Sequence, residues 1–374
     1  MYTYKAETII INISMKRILL FLFIISTASG LFAQVAAGYY RVQNKMTERY
    51  IRVIDNRGSV NLSTTDADLA ALETIKHFEN VVSDPASIIY ITPAGNGYNF
   101  EAQGTTSYSI IGYYVKLWDN KNGSYRAYAE NGNLVRYLCD ENSDEDDGVV
   151  LTNGTGEWRS WYIKPVNQTE GQYFALKPNV EAEGNHYTTI YASFPFTLPA
   201  GMTAYYVSTV KGDQVAWKEV KDGKVPASTA VYVKCKSKNY TDNKITIEKN
   251  GASSIPGNKM KGVYFNNGSK THNNQLAYDP NTMRVLGVTS EGKLGFVTAD
   301  IDFIPANTAY LTVPANSPRE LKLVPESELA IDDVFNEELS YKIYNLQGIE
   351  IKELQQGVNV LLYENGSSKK IIVK

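Results

Sequence analysis

From Gly38 onward the chain is built of short runs of β-branched and aromatic residues in which apolar and polar positions alternate, each run halted by a turn pair. Gly38-Tyr39-Tyr40-Arg41-Val42-Gln43-Asn44 and Arg49-Tyr50-Ile51-Arg52-Val53 open the series with the two-residue period of half-buried strands. Seven Asn-Gly pairs, from Asn96-Gly97 to Asn365-Gly366, and Asp222-Gly223 mark chain reversals, because Asn and Gly accept the positive φ of tight hairpin turns. The pattern predicts an all-β protein. One stretch departs from it. Across 65–79, Leu69, Leu72, Ile75 and Phe78 recur along one helical face, Thr65 is placed to cap, and Asp66 and Asp68 fall in the first turn, which predicts one inserted helix.

Phrases also recur. Residues 98–102 echo the opening, 125–128 and 136–138 echo the first strand pair, 173–176 opens a further copy, and the closing phrases 88–93 and 160–165 match each other. Such recurrence predicts a repeat fold over a first domain, 34–183. A second domain, 184–325, holds an internal duplication: Val225-Pro226-Ala227-Ser228-Thr229-Ala230 matches Ile304-Pro305-Ala306-Asn307-Thr308-Ala309, and each copy follows a Gly-Lys turn. Pro at the mouth of a strand ends one element and starts the next, so the duplication predicts a β-sandwich of similar hairpins. An acidic stretch then leads into a last unit within 326–374.

The opening phrases, with Trp161-Tyr162-Ile163-Lys164-Pro165-Val166, resemble ricin-type β-trefoil modules over 38–180, with Arg159 standing where that family's closing Gln-x-Trp triplet has Gln. The resemblance implies a β-trefoil-like N-terminal domain that binds glycan without catalysis. Phrases of the second domain resemble domains common in secreted proteins of Gram-negative anaerobes. Residues 341–348, 356–362 and 369–374 resemble the C-terminal sorting domains of type IX secretion. That resemblance implies passage across the outer membrane through the secretion machinery; taken alone, the same residues read equally well as a small β-hairpin cap.

The amino terminus carries an address. Met15-Lys16-Arg17, an eight-residue apolar run from Ile18 to Ile25 and the small residues before Gln34 read as a secretory signal peptide over 1–33, with Met15 as the preferred initiator and cleavage after Ala33. Eight residues are far fewer than the ~20 a membrane-spanning helix needs. No Cys precedes Cys139, so an amino-terminal lipoprotein is not expected. The expected location is secreted or cell-surface.

Composition narrows the function further. The 374 residues carry a net charge of −3, and loss of 1–33 leaves 34 basic and 39 acidic side chains, a net −5. That balance speaks against nucleic-acid binding. Cys139 and Cys235 fall in different domains and outside any Cys-x-x-Cys pair, so two free buried thiols are expected. The three histidines, His77, His186 and His272, stand in unrelated contexts, with no metal motif, no Gly-x-Ser-x-Gly and no phosphate loop near any of them. No cofactor, metal or catalytic residue is expected. The acidic run 140–148 places Asn142, Asp144 and Asp146 at alternate positions but has Asp147 where a calcium loop needs Gly, and so reads as a solvated acidic loop.

Sugar binding requires an exposed aromatic face with hydrogen-bonding side chains beside it. Trp118, Asp119, Asn120 and Asn122 combine these beside a turn, although Trp118 could also fold inward at a hairpin tip; Trp158 is the second candidate. Trp161 is expected in the core, and Trp217 on either face. The expected protein is an exported, non-catalytic binding protein for glycan or a host-derived polymer. The alternatives are a structural or protein-binding surface component and, last, a secreted glycosidase.

Overall fold

A computed structural model of the chain describes residues 35–55, 72–104, 114–140, 150–152, 155–167, 171–249, 251–268, 273–329, 341–363 and 368–373. Residues 1–33, expected from the sequence to form a signal peptide, lie outside the described residues.

The first unit comprises β1 (Gly38–Asn44), β2 (Tyr50–Val53), β3 (Leu72–Ile75), the short helix α1 (Phe78–Val81), β4 (Ile89–Ala94), β5 (Gly97–Glu101), β6 (Lys116–Asp119), β7 (Tyr125–Asn131), β8 (Leu134–Cys139), β9 (Val150–Thr152) and β10 (Ser160–Pro165). Strand β1 pairs with β4, β4 with β5, β5 reaches β6 through the Tyr98–Val115 bridge, β6 pairs with β7, β7 with β10, and β10 returns to β1. Six antiparallel strands therefore close into a ring, which removes the exposed edges an open sheet would present. The pairs β2–β3 and β8–β9 hang from β1 and β7. Barrel strands arrive in pairs, β1 and β4, β5 and β6, β7 and β10, which is the β-trefoil arrangement.

The repeated phrases occupy equivalent barrel positions. In the closing strands, Ile89 and Ile91 of β4 and Trp161 and Ile163 of β10 face the same core, while Tyr90 and Tyr162 pair with Tyr39 and Gln43 of β1. Trp161 is fully buried, as expected, and its indole N–H donates to the Leu138 carbonyl at 2.9 Å.

Two expectations change. Of the helix expected over 65–79, residues 65–71 lie outside the described residues, and 72–75 form β3 instead. Leu72 and Thr74 are buried while Glu73 and Ile75 are half-buried, a two-residue period. Leu72 and Ile75, three apart, fit either period, and pairing with β2 decides for the strand. The phrase 173–176 is likewise no trefoil strand: it carries β11 (Phe174–Ala175), which pairs with β19 (Lys244–Ile247) in the second unit.

The second unit continues with β12 (Val180–Ala182), β13 (Asn185–Ile190), β14 (Phe196–Thr197), β15 (Thr203–Lys211), β16 (Gln214–Glu219), β17 (Lys224–Val225), β18 (Val231–Cys235), then β20 (Met260–Gly262), β21 (Met283–Val288), β22 (Leu294–Val297), β23 (Ala309–Thr312), β24 (Glu320–Pro325) and a helical turn α2 over 326–329. Strands β11-β19-β14-β17 form a small sheet laid over a curled ten-stranded sheet, β12-β13-β18-β15-β16-β24-β22-β21-β23-β20. Residue 183 falls in the β12–β13 turn, so pairing groups 174–182 with this sandwich.

Alternation along β18 shows how one strand serves two cores. Val231, Val233 and Cys235 face the small sheet, whereas Tyr232 faces the hollow side of the curl. Tyr206 and Tyr205 on β15 divide in the same way. The duplicated phrase is also a structural duplicate, since Val225 and Ile304 are fully buried and Ser228 and Asn307 both adopt positive φ, 55° and 58°.

The two units share their cores. Phe265 packs into the trefoil core, and Ile88 and Val166 pack into the sandwich core beside Tyr39. Gln103 and Asn307 exchange amide hydrogen bonds across the junction at 2.9 and 2.7 Å. Buried Arg41 donates to the Val81, Val82 and Tyr173 carbonyls and the Ser87 hydroxyl; burial lowers its pKa to about 10, still far above neutral.

The last unit is an antiparallel sheet of β25 (Tyr341–Asn345), β26 (Glu350–Ile351), β27 (Gly357–Tyr363) and β28 (Ser368–Val373), in the order β26-β25-β27-β28. Leu361 and Tyr363 form its small core, and Ile372 is 65 % exposed.

Candidate binding surfaces

Strand β6 runs into the turn 120–124 with Leu117 directed to the core and Trp118 outward, opposite Arg126 on β7. Trp118 is 62 % exposed, so the inward-folded alternative does not hold. The register continues the row to Ser160 on β10. Two residues along β7, Tyr128 packs against Tyr137 at 5.5 Å between centroids, and the Arg159 guanidinium lies 4.5 Å over the Tyr137 ring. The outer wall of the barrel thus carries Trp118, Arg126, Tyr128 and Tyr137 on three adjacent strands.

The polar residues next to Trp118 in sequence are engaged with the turn itself. The Asp119 carboxylate accepts from the Lys121 backbone N–H at 2.7 Å and from its ammonium at 3.1 Å, and these bonds hold its pKa below the usual carboxylate range. The Asn120 side-chain amide donates to the hydroxyls of Ser124 and Ser160, and the Asn122 side-chain oxygen Oδ1 accepts from Ser124 N–H and hydroxyl. Such local bonds are what Asx residues do at turns. Arg126, which local sequence does not place here, is the polar group beside the indole. Its buried Nε has no hydrogen-bond partner among the described residues.

Trp158 lies in a 3-10 turn, Glu157–Arg159, half-buried, and its carbonyl accepts from the Asn44 side-chain amide and from Asp140 N–H. It shares no ring contact with Trp118 among the described residues. Of the acidic run, Asp140 is buried and forms a bidentate ion pair with Arg49, so it braces the core rather than standing in a solvated loop. Residues 141–149, including Asn142, Asp144, Asp146 and Asp147, lie outside the described residues.

Among the described residues no group of three His, Cys, Asp or Glu is placed to hold a metal. His186 lies 3.8 Å from Glu181, His77 precedes α1 with a φ of 72°, and His272 is outside the described residues. Cys139 and Cys235 are buried thiols outside any disulfide, and burial pushes the Cys235 thiol up to about 12.

A concavity with no counterpart in the sequence reading opens on the hollow side of the curled sheet. It has a volume of about 490 Å³ and is walled by Tyr187, Tyr205, Trp217 and Tyr232. Its residues range from Glu183 to Glu328 in sequence, and only the alternation of Tyr205 and Trp217 onto one sheet face hinted at it.

No protein-family model matches the chain, and no curated protein matches it. Among solved structures, a designed three-fold symmetric protein, ThreeFoil, is similar over 34 % of this chain and 99 % of its own, at 19 % identity and a TM-score of 0.24. A mosquitocidal holotoxin is similar over 90 % of this chain, at 10 % identity and a TM-score of 0.29, and the match spans 42 % of the holotoxin chain.

Proposed function

We propose that the protein is an exported, non-catalytic glycan-binding protein of the bacterial cell surface, with the outer wall of its trefoil as the sugar surface. The observation that carries this reading is Trp118, 62 % exposed and set directly opposite Arg126. An indole face held open to solvent covers the apolar side of a pyranose, and a guanidinium beside it supplies several donors for sugar hydroxyls. The Asp119, Asn120 and Asn122 bonds hold the turn that presents the ring, and Trp158 flanks the same end of the barrel. The test is a glycan array probed with the full mature chain and with Trp118→Ala. Saturable binding that the variant loses supports the reading; equal binding by both proteins removes Trp118 from it.

A protein-binding role is favoured by one other observation. The tail sheet turns Leu362 and Ile372, 40 % and 65 % exposed, away from its small core. We read this face as the contact through which the tail engages the secretion machinery. Deletion of 341–374 is expected to hold the protein inside the outer membrane, as read by cell fractionation, and export of the deleted chain would refute it.

A further inference from the structure

We propose that the concavity of the second unit is a separate binding site and that it takes a neutral oligosaccharide. Its wall is a ladder of rings on three adjacent strands. Tyr232 of β18 stacks on Tyr205 of β15, centroids 5.1 Å apart and planes 20° from parallel, and Tyr205 meets Trp217 of β16 edge to face at 5.0 Å. Cross-strand registers fix the ladder: Tyr205 lies opposite Tyr232, and Trp217 opposite Val207. Tyr232 is the buried foot, while Tyr205 and Trp217 are half-buried and line the hollow. Aromatic rings in a concavity cover the C–H faces of sugar rings, and about 490 Å³ lies within the ~300–1,000 Å³ of small-molecule sites.

The polar groups decide the class of sugar. Burial raises the pKa of Tyr187, Tyr205 and Tyr232, so all three keep hydroxyls that both donate and accept, as sugar hydroxyls require. The rim carries Lys234, Lys293 and Lys322 against Glu183, Glu291 and Glu328. Lys322 and Glu291 pair at 3.0 Å. Equal numbers of cations and carboxylates produce no net field to attract an acidic sugar, yet offer donors and acceptors in equal measure.

The test is titration calorimetry on the full mature chain carrying Trp118→Ala, with cellohexaose, chitohexaose, maltohexaose and hexagalacturonate as probes. Because the trefoil surface is disabled in this background, remaining binding reports the concavity. A neutral hexasaccharide is expected to bind, with affinity reduced about tenfold or more by adding Trp217→Ala, and likewise by adding Lys293→Ala, an exposed rim change that leaves the core intact should Trp217→Ala fail to fold. The proposal is overturned if the Trp118→Ala chain binds no neutral hexasaccharide, prefers hexagalacturonate, or binds undiminished in both double variants. Binding by the wild type alone would leave the trefoil reading standing and remove this one.

Discussion

Trp118 and Trp217 both sit on β-strands with one face of the ring free of the core, but in opposite surroundings. Trp118 stands on the outer wall of a closed barrel, and the side chains nearest in sequence are spent on its own turn. Trp217 stands inside a curled sheet, met edge-on by Tyr205 and rimmed by charges drawn from two strands, two turns and the helical turn α2. The difference teaches that polar residues beside an aromatic in sequence are not thereby available to a ligand. At a turn, short polar side chains serve the backbone first. Concavity comes from sheet curvature, which assembles groups that are remote in sequence.

The sharpest way to break this comparison is through the third tryptophan. Trp161→Ala empties the trefoil core and strands the Leu138 carbonyl, and is expected to cost ~3–5 kcal/mol in chemical denaturation. Trp118→Ala, on the same barrel, is expected to stay within about ±0.5 kcal/mol. Equal losses would mean that Trp118 is a packing residue.

Next in size is the junction. Gln103→Ala leaves the Asn307 amide short of its partner in a buried setting, with an expected loss of ~1–3 kcal/mol. Calorimetry is expected to show one unfolding transition for the wild type and a broadened or split one for the variant, whereas identical profiles would show that the amide pair does not couple the units.

A comparable loss tests the close approach of β20 to the segment that follows β13. A Cβ at Gly262 would lie 2.0 Å from the Tyr191 ring, which itself packs on Tyr264 at 4.4 Å. Gly262→Ala is expected to cost ~1–3 kcal/mol through overpacking, measured by the shift in denaturation midpoint.

The last effect is absent at neutral pH and emerges only in alkali. Tyr39 and Cys235 each have a pKa pushed up to about 12 by burial, from ordinary values near 10.0 and 9.0. Both are neutral when protonated, so above those ordinary values the unfolded chain holds fewer protons than the folded one. Stability from these groups is complete below pH 9 and falls as pH rises from 9 toward 12. Tyr39→Phe is expected to flatten the upper part of that decline, and the Cys235 thiol to resist a disulfide reagent at pH 8 until the protein is unfolded.

Much of the architecture was legible because it rests on local rules. Turn pairs and period-two runs marked the strands, and the matched phrases at Val225 and Ile304 turned out to share even the positive φ of Ser228 and Asn307. Residues 72–75 misled because Leu72 and Ile75 satisfy two periods at once, and only the partner strand β2 separates them. Tyr173 to Leu176 copied a trefoil phrase, yet pairing with β19, some 70 residues away, assigned it elsewhere. For the candidate surfaces, Trp118 was legible as a turn-side indole, whereas its partner Arg126 depended on the β6–β7 register, and the ring ladder of Tyr232, Tyr205 and Trp217 on three registers together.

The shared cores determine what sort of part this trefoil is. A closed barrel is ordinarily a portable module, free to be shuffled between genes with its edges sealed. Here a fragment ending at 183 would abandon Phe265, which fills its core, and keep Phe174 and Ala175 without their strand partner. Recombination can therefore move the pair as a whole, and neither half travels alone.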